Sequence, residues 1–284
     1  MSDPAAVIDD LRAESDELDR LVAGLGDGQW GAATPAAGWT VAHQIAHLAW
    51  TDETALLAAT SPGAFAREVE KAFAEPDAFV DRAAEAGARR PPAELLAHWR
   101  TVRERLRQAL YEAPPGARIP WYGPPMSARS MATARLMETW AHGQDVADAV
   151  GVVREPTARL RHVAHIGVRA RDYAYLVRGL EAPKAEFRVE LTGPGGELWT
   201  WGPESAAGGP GAGGGGRVTG PALDFCLLVT QRAHRDDLAV RAEGADADRW
   251  LDIAQAFAGP AGTGRAPAGT GRAPAGTGRA PEGA

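Results

Sequence analysis

The sequence predicts an α+β protein: an N-terminal antiparallel four-helix bundle followed by a smaller half that mixes strands and helices. Three observations predict it. The first 150 residues place their apolar side chains at spacings of three and four, with no alternating stretch among them. After Gly151 the texture changes, and "AEFRVELTGPGGELWTWGPE" alternates apolar and polar residues around a Gly-Pro-Gly-Gly turn, a hairpin signature. The chain has 284 residues, of which 45% are hydrophobic, enough for one large domain or two modest ones with a real core. The boundaries read as 1–152 for the bundle, 153–259 for the α+β half and 260–284 for a tail.

Element by element, Val7, Ile8, Leu11, Leu18, Leu21, Val22 and Leu25 form the stripe of a first amphipathic helix. "GDGQWGAATPAAGW" breaks it. Thr40 is the expected N-cap of a second helix, "VAHQIAHLAWTDETALLAAT", which Ser61-Pro62-Gly63 ends. Residues 64–87 are helical but more polar. A further helix runs from about Ala93 to Tyr111, with Leu95, Leu96, Trp99, Val102, Leu106 and Leu110 on one side. "EAPPGARIPWYGPP" is a proline-rich loop, and Ser127 caps the helix that follows it. Residues 155–180 are again helical. The hairpin comes next, then a short strand and helix in "RVTGPALDFCLLVTQRAH", a strand in "LAVRAEG" and a closing helix in "ADADRWLDIAQAFAG".

The tail repeats "AGTGRAP" three times over residues 261–281. It has no large apolar residue to offset its ordering entropy, so disorder is expected there. "GGPGAGGGG" at 208–216 is expected to be a flexible loop. Its nominal G-x-G-x-x-G lacks the strand-to-helix context of a dinucleotide site. "HRDD" at 234–237 has no accompanying kinase elements.

Composition narrows the function. A net charge of −7 argues against nucleic-acid partners, which need clustered Lys and Arg. No apolar run is long enough to span a bilayer, and the acidic, helix-patterned N-terminus is no signal peptide. One cysteine, Cys226, excludes an internal disulfide and fits a reducing cytoplasm. Only Lys71 and Lys184 among the 30 basic residues are lysine, a usage typical of GC-rich genomes such as those of actinobacteria.

The chemistry concentrates in "MATARLMETWAHGQDVADAVG", residues 131–151. Glu138 and His142 stand four apart, so on a helix they share one face, as do His43 and His47 on the second helix. Facing helices of a bundle aim such pairs into a shared interior. Two imidazoles and a carboxylate suit a divalent first-row metal and leave coordination positions open, as a catalytic site requires. The blander reading makes the histidines ordinary hydrogen-bonded residues and pairs Glu138 with Arg135 or Arg129 at the surface. Spacing leaves both open.

"GWTVAHQIAHLAWTDE" resembles the second-helix motif of the DinB-like metal-dependent four-helix bundles, where a Trp precedes the helix and the final His ligates metal. "METWAHGQDVADAVG" resembles their fourth-helix motif. Taken with "WYGPPMSARSMATARL", the chain is most similar to the mycothiol-dependent maleylpyruvate isomerase group, over nearly its whole length except the tail. That group joins such a bundle to a sterol-carrier-like α+β C-terminal domain. The resemblance implies metal ligands His47, Glu138 and His142, with His43 behind them as a supporting group, a proton carrier or a packing residue. It implies an arginine from the C-terminal half near the metal, for which Arg232 is the nearest match and Arg235 the rival, although the usual Gly-Arg pair is missing. It also implies a divalent metal, by default Zn2+, and mycothiol as cofactors, with Trp50, Trp121 and Tyr122 lining the thiol cleft.

The expected function is therefore a cytoplasmic, metal-dependent enzyme that uses a low-molecular-weight thiol for isomerisation or S-transfer on a small electrophilic substrate. The alternatives are a metal-dependent hydrolase or lyase/cyclase without thiol, and a non-catalytic protein that binds metal or a small ligand.

Overall fold

A computed structural model describes residues 4–74, 79–203 and 216–268. The helical half contains α1 (Pro4–Ala23), the single turn α2 (Asp27–Trp30), α3 (Val41–Thr60), α4 (Pro62–Ala74), α5 (Phe79–Ala88), α6 (Pro92–Glu112) and α7 (Ala128–Val150). The second half contains α8 (Leu160–Arg169), α9 (Arg171–Leu176), β1 (Arg188–Thr192), β2 (Leu198–Trp201), β3 (Arg217–Pro221), α10 (Ala222–Val229), β4 (Arg241–Glu243) and α11 (Ala245–Ile253). No described helix is long and apolar enough to cross a membrane.

Local chemistry sets the helix ends. Ser127 accepts a hydrogen bond from the Ser130 amide at the start of α7, and Gly151, at φ 70°, closes that helix in the left-handed region that favours glycine. Thr40 caps α3 together with His43. The residues read as one helix over 155–180 divide instead into α8 and α9, joined through Ala170, and the helix begins only at Leu160.

The bundle is made by α1, α3, α6 and α7. Asp52 of α3 meets Arg135 of α7, and His47 meets His142, so these two helices are antiparallel. Asp19 meets Arg100 and Asp9 meets Tyr111, so α1 and α6 are antiparallel too. Leu18 packs near Gly143, whereas Val7 and Ile8 share a cluster with Met131, so α1 runs alongside α7 in the same direction. The pair α4–α5 makes the crossover between α3 and α6. Gly87 of α5 sits so close to α3 that a Cβ there would lie 2.7 Å from the Ala46 Cβ.

The sheet has the order β2-β1-β3-β4, with β1 and β3 parallel and both outer pairs antiparallel. Val189, Leu191, Trp199 and Val218 point to its buried face, where α10 and α11 cover them with Phe225, Trp250 and Leu251. One apolar cluster runs from Leu106 and Leu136 in the bundle through Leu160 and Val163 to Phe225 and Trp250. The two halves therefore share a core.

The tail departs from expectation at its start. Residues 261–268 lie along the second half with defined hydrogen bonds, for example from the Gly262 amide to Gln255 at 2.9 Å. Residues 269–284, the rest of the repeat, fall outside the described residues, as does most of the glycine-rich loop at 208–216.

Candidate metal centre

The sequence placed Glu138 and His142 one turn apart on α7 and His47 on α3, and the structure brings all three together. One ligand atom from each lies within 4.8 Å of the others. Glu138 Oε2 is 3.2 Å from His142 Nε2 and 3.6 Å from His47 Nε2. Ligands held about 2.1 Å from a tetrahedral ion stand roughly 3.4 Å apart, so these separations suit one shared cation. Among the described residues Glu138 is not paired with an arginine. Arg135, the rival partner, is fully engaged elsewhere: it donates to Asp52 at 2.8 Å and to the Thr51 hydroxyl at 2.6 Å.

The hydrogen bonds behind the triad settle which nitrogens face inward. The Thr34 hydroxyl donates to the Trp39 carbonyl at 2.9 Å and so accepts from the Gln44 amide NH2 at 2.8 Å. That orients the Gln44 carbonyl oxygen toward His142 Nδ1. In the neutral imidazole, Nδ1–H then donates to Gln44 and leaves the Nε2 lone pair facing the Glu138 carboxylate. Two acceptors at 3.2 Å repel unless a cation, a proton or a metal, lies between them.

The electrostatics match this donor set. Burial, helped by the neighbouring His142, pushes the His47 imidazole down to about 4, so it is neutral at physiological pH. Burial alone would raise Glu138, but hydrogen bonds and charge from His142 and His47 hold its carboxyl well below the usual range. His47 Nδ1 is buried without a hydrogen-bond partner among the described residues. The donor set is thus two imidazoles and one carboxylate, which fits a divalent ion with vacant positions.

The site is walled but not sealed, since the Glu138 side chain is 23% exposed. Trp39 stacks on His142 with ring centroids 5.9 Å apart, and its indole N–H donates to Asp81 of α5 at 3.1 Å. Trp50 lies 5.9 Å from His47 and meets Phe79 edge-on at 5.2 Å. Phe79 in turn touches Tyr122, which packs with Trp121 and Phe65. The three aromatic residues expected to line the cleft therefore belong to one wall, with Trp50 beside the ligands and Trp121 and Tyr122 at its far end. The Tyr122 hydroxyl is buried without a hydrogen-bond partner among the described residues, and burial pushes it up to about 12.

Two further expected residues stand outside the triad, each held by hydrogen bonds to other groups. The His43 side chain makes no hydrogen bond to His47, Glu138 or His142. Its Nδ1 accepts from the Thr40 amide at 3.3 Å, so Nε2 carries the proton and donates to Glu85 at 2.8 Å. Both nitrogens are used to cap α3 and fasten α5. Arg232 donates to Asp145 at 2.7 Å and to the Thr230 carbonyl at 2.7 Å, and it makes no hydrogen bond to the triad. Arg235, its rival, is bound to Asp248 and Asp252 on α11. Sequence reasoning passed over Gln44 and the Trp39–Asp81 pair. Gln44 lies between the two histidines of "HQIAH", three residues before His47. A buried amide one turn from a ligand was the available signal.

Comparison with known proteins agrees with this architecture. Residues 11–147 match the family described as mycothiol maleylpyruvate isomerase N-terminal domain, and residues 183–243 match one described as wyosine base formation. Two Mycobacterium tuberculosis proteins named only as uncharacterized, from strains CDC 1551 / Oshkosh and H37Rv, are each 57% identical over 265 residues. The match covers 93% of this chain and 100% of each relative. A crystal structure of the mycothiol-dependent maleylpyruvate isomerase superposes with a TM-score of 0.57 at 17% identity, covering 85% of this chain and 93% of that one. A histidine-to-alanine mutant of it gives 0.56 at 17% identity, covering 84% and 93%. At that identity the likeness is one of fold. The chain therefore carries the mycothiol maleylpyruvate isomerase N-terminal domain over residues 11–147, and over nearly its whole length it belongs to one family with the two mycobacterial proteins.

Proposed function

We propose that the protein is a cytoplasmic, metal-dependent enzyme that uses a low-molecular-weight thiol of the mycothiol type either to isomerise a small electrophilic substrate or to couple the intact thiol to it through sulfur. The observation that carries the metal is the lone pair of His142 Nε2 facing the Glu138 carboxylate, fixed there by Gln44 and Thr34. Family membership supports the thiol. When bound, a divalent ion favours the thiolate of a coordinated thiol, and that thiolate supplies the nucleophile for addition to an electrophilic carbon.

The chain's own residues do the rest. His47, His142 and Glu138 contribute one net negative charge, so a divalent ion held by them keeps positive charge for a substrate anion or thiolate. Gln44 keeps His142 in the coordinating tautomer. Trp39, Trp50 and Phe79 exclude water from one side and offer flat apolar surface to a ligand. Asp145 lies seven residues beyond Glu138, which on a helix returns to nearly the same face about 10 Å along the axis. Arg232, held by Asp145, is the arginine of the second half we assign to orient a substrate carboxylate.

The test is elemental analysis of the purified chain, followed by thiol-binding calorimetry and turnover of activated alkenes or electrophiles. About one equivalent of metal, zinc first, is expected in the wild type, with loss in H47A and H142A. Glu138→Gln should abolish thiol-dependent turnover with little change in melting temperature. A wild-type protein that binds no divalent metal would sink the proposal. Turnover that needs the metal but not the thiol would sink its thiol half and leave a hydrolase or lyase.

A further inference from the structure

The first tail heptad occupies a groove built for its sequence. Residues 261–268 run between α10 and α11 and reach α7. The two glycines of the heptad, its arginine and the residues flanking it meet defined groups. Before it, the Pro260 carbonyl accepts from Gln255 Nε2 at 3.1 Å. The Gly262 amide donates to Gln255 Oε1 at 2.9 Å, and its carbonyl accepts from Arg178 at 3.1 Å. A Cβ on Gly262 would lie 2.1 Å from Gln231 Oε1, so a larger residue there would displace the Gln231 amide that holds Gly264. Gly264, at φ +66°, donates its amide to that same Gln231 oxygen at 3.1 Å. Arg265 then crosses to the bundle, where it donates to Asp145 at 2.6 Å and Asp148 at 2.8 Å. The Ala268 amide closes on Asp237 at 2.8 Å.

The receptor is prepared rather than incidental. Gln255 is 1% exposed. Gln231 is the only non-glycine residue with positive φ among the described residues, at 59°, and this strained backbone turns its amide into the groove. Asp145 is 2% exposed and is shared by Arg232 from α10's end and Arg265 from the tail. The tail arginine thus closes a bridge between the second half and the metal-bearing helix.

Everything the groove reads occurs again in the sequence. Pro267 precedes a heptad with Gly269, Gly271 and Arg272, and Pro274 precedes one with Gly276, Gly278 and Arg279. We propose that the groove is a recognition site for the Pro-Ala-Gly-Thr-Gly-Arg unit, and that the second and third heptads of the same chain are exchangeable occupants of it. Skipping one or two heptads loops out 7 or 14 residues of a glycine-rich segment, and closure entropy grows only with the logarithm of loop length. The third register is the weakest, because Glu282 would replace Ala268 beside Asp237. The strap between the halves is therefore insured against loss of any single arginine.

Full-length variants test this by hydrogen exchange of the amides in residues 143–150 of α7 and 228–233 after α10. Arg265→Ala alone should leave exchange within about threefold of wild type, because another heptad takes its place. The triple variant R265A/R272A/R279A should exchange at least about tenfold faster, the scale of a lost charge-assisted bridge. Equal acceleration in the single and triple variants would overturn exchange between heptads. A triple variant indistinguishable from wild type would overturn the strap itself. Protection in R265A that rises with protein concentration would place the occupant in a second copy, and would overturn exchange within one chain.

Discussion

Gln44 shows how one uncharged side chain can decide the chemistry of a charged site. It touches no reacting group, yet its orientation, inherited from Thr34, assigns the proton on His142. Gln44→Ala should therefore weaken metal binding about 10- to 100-fold, read by competition with a chelator, while the melting temperature of the apoprotein changes little. Unchanged affinity would show that His142 finds its tautomer without help. Asp52 and Arg135 make the complementary case, because both are 3% exposed and meet one turn from the ligands. Asp52→Ala leaves a buried guanidinium unpaired and should cost about 3–5 kcal/mol in urea unfolding. At this scale the sequence was partly legible. The convergence of His47, Glu138 and His142 was legible because helical spacing puts Glu138 and His142 on one face, and the family resemblance favoured His47 over His43 as the third member. The hydrogen bonds of His43 and Arg232 were not legible, since Glu85 and Asp145 lie 42 and 87 residues from them.

Among the elements, the helices and the β1–β2 hairpin were readable because each follows a local period or turn, and Thr40 and Ser127 cap as expected. Helix directions were not readable, because they depend on which faces meet. Asp19 illustrates what fixes them. It sits on α1 and receives Arg100 at 2.8 Å and Arg103 at 2.8 Å, both from α6. The Arg100 hydrogen bond, with the charges of Arg103 and Arg20, outweighs burial and holds the Asp19 carboxyl below its usual value. A carboxylate with a depressed folded pKa contributes stability above its unfolded pKa of about 3.9, and that contribution is lost as pH falls through the folded value. Asp19→Asn should thus be less stable than wild type at pH 7 by about 2 kcal/mol, with the gap closing below pH 4. Urea melts at the two pH values check this, and a gap that stays constant with pH would refute it. Gly167 fixes the α8–α10 crossing in a different way, by absence of bulk: a Cβ there would lie 2.7 Å from a Val229 methyl. Gly167→Ala should cost about 1–3 kcal/mol despite its better helix propensity.

For the whole molecule, the question is whether two halves with different textures behave as one body. The composition change near Gly151 marks where the topology changes. It does not mark an edge of the core, because the apolar cluster passes from Leu136 through Leu160 to Phe225 without a break. A polar latch reinforces the joint. Glu14 of α1 is 1% exposed and gives one oxygen to Arg154 and the other to Arg159, both from the segment linking the halves. Glu17 pairs with the same two arginines. Arg154 also donates to the Trp140 carbonyl at 3.0 Å, an approach possible because Gly143 leaves its guanidinium room, 3.2 Å from where a Cβ would stand. Glycine in mid-helix costs about 1 kcal/mol relative to alanine, so this contact offsets a local penalty in α7. Glu14→Gln keeps the shape and removes the charge from the better-buried half of the latch. With Glu17 still present, the loss should fall near the lower end of the range for a broken buried pair, about 3 kcal/mol. For a chain of this size that is a drop of roughly 6–10 °C in melting temperature. Because the core is shared, helical circular dichroism and the fluorescence of the tryptophans in both halves should fall together in one transition, in the variant as in the wild type. Two separated transitions in Glu14→Gln, with the helical signal surviving the first, would show that the halves are independent bodies joined only at this latch.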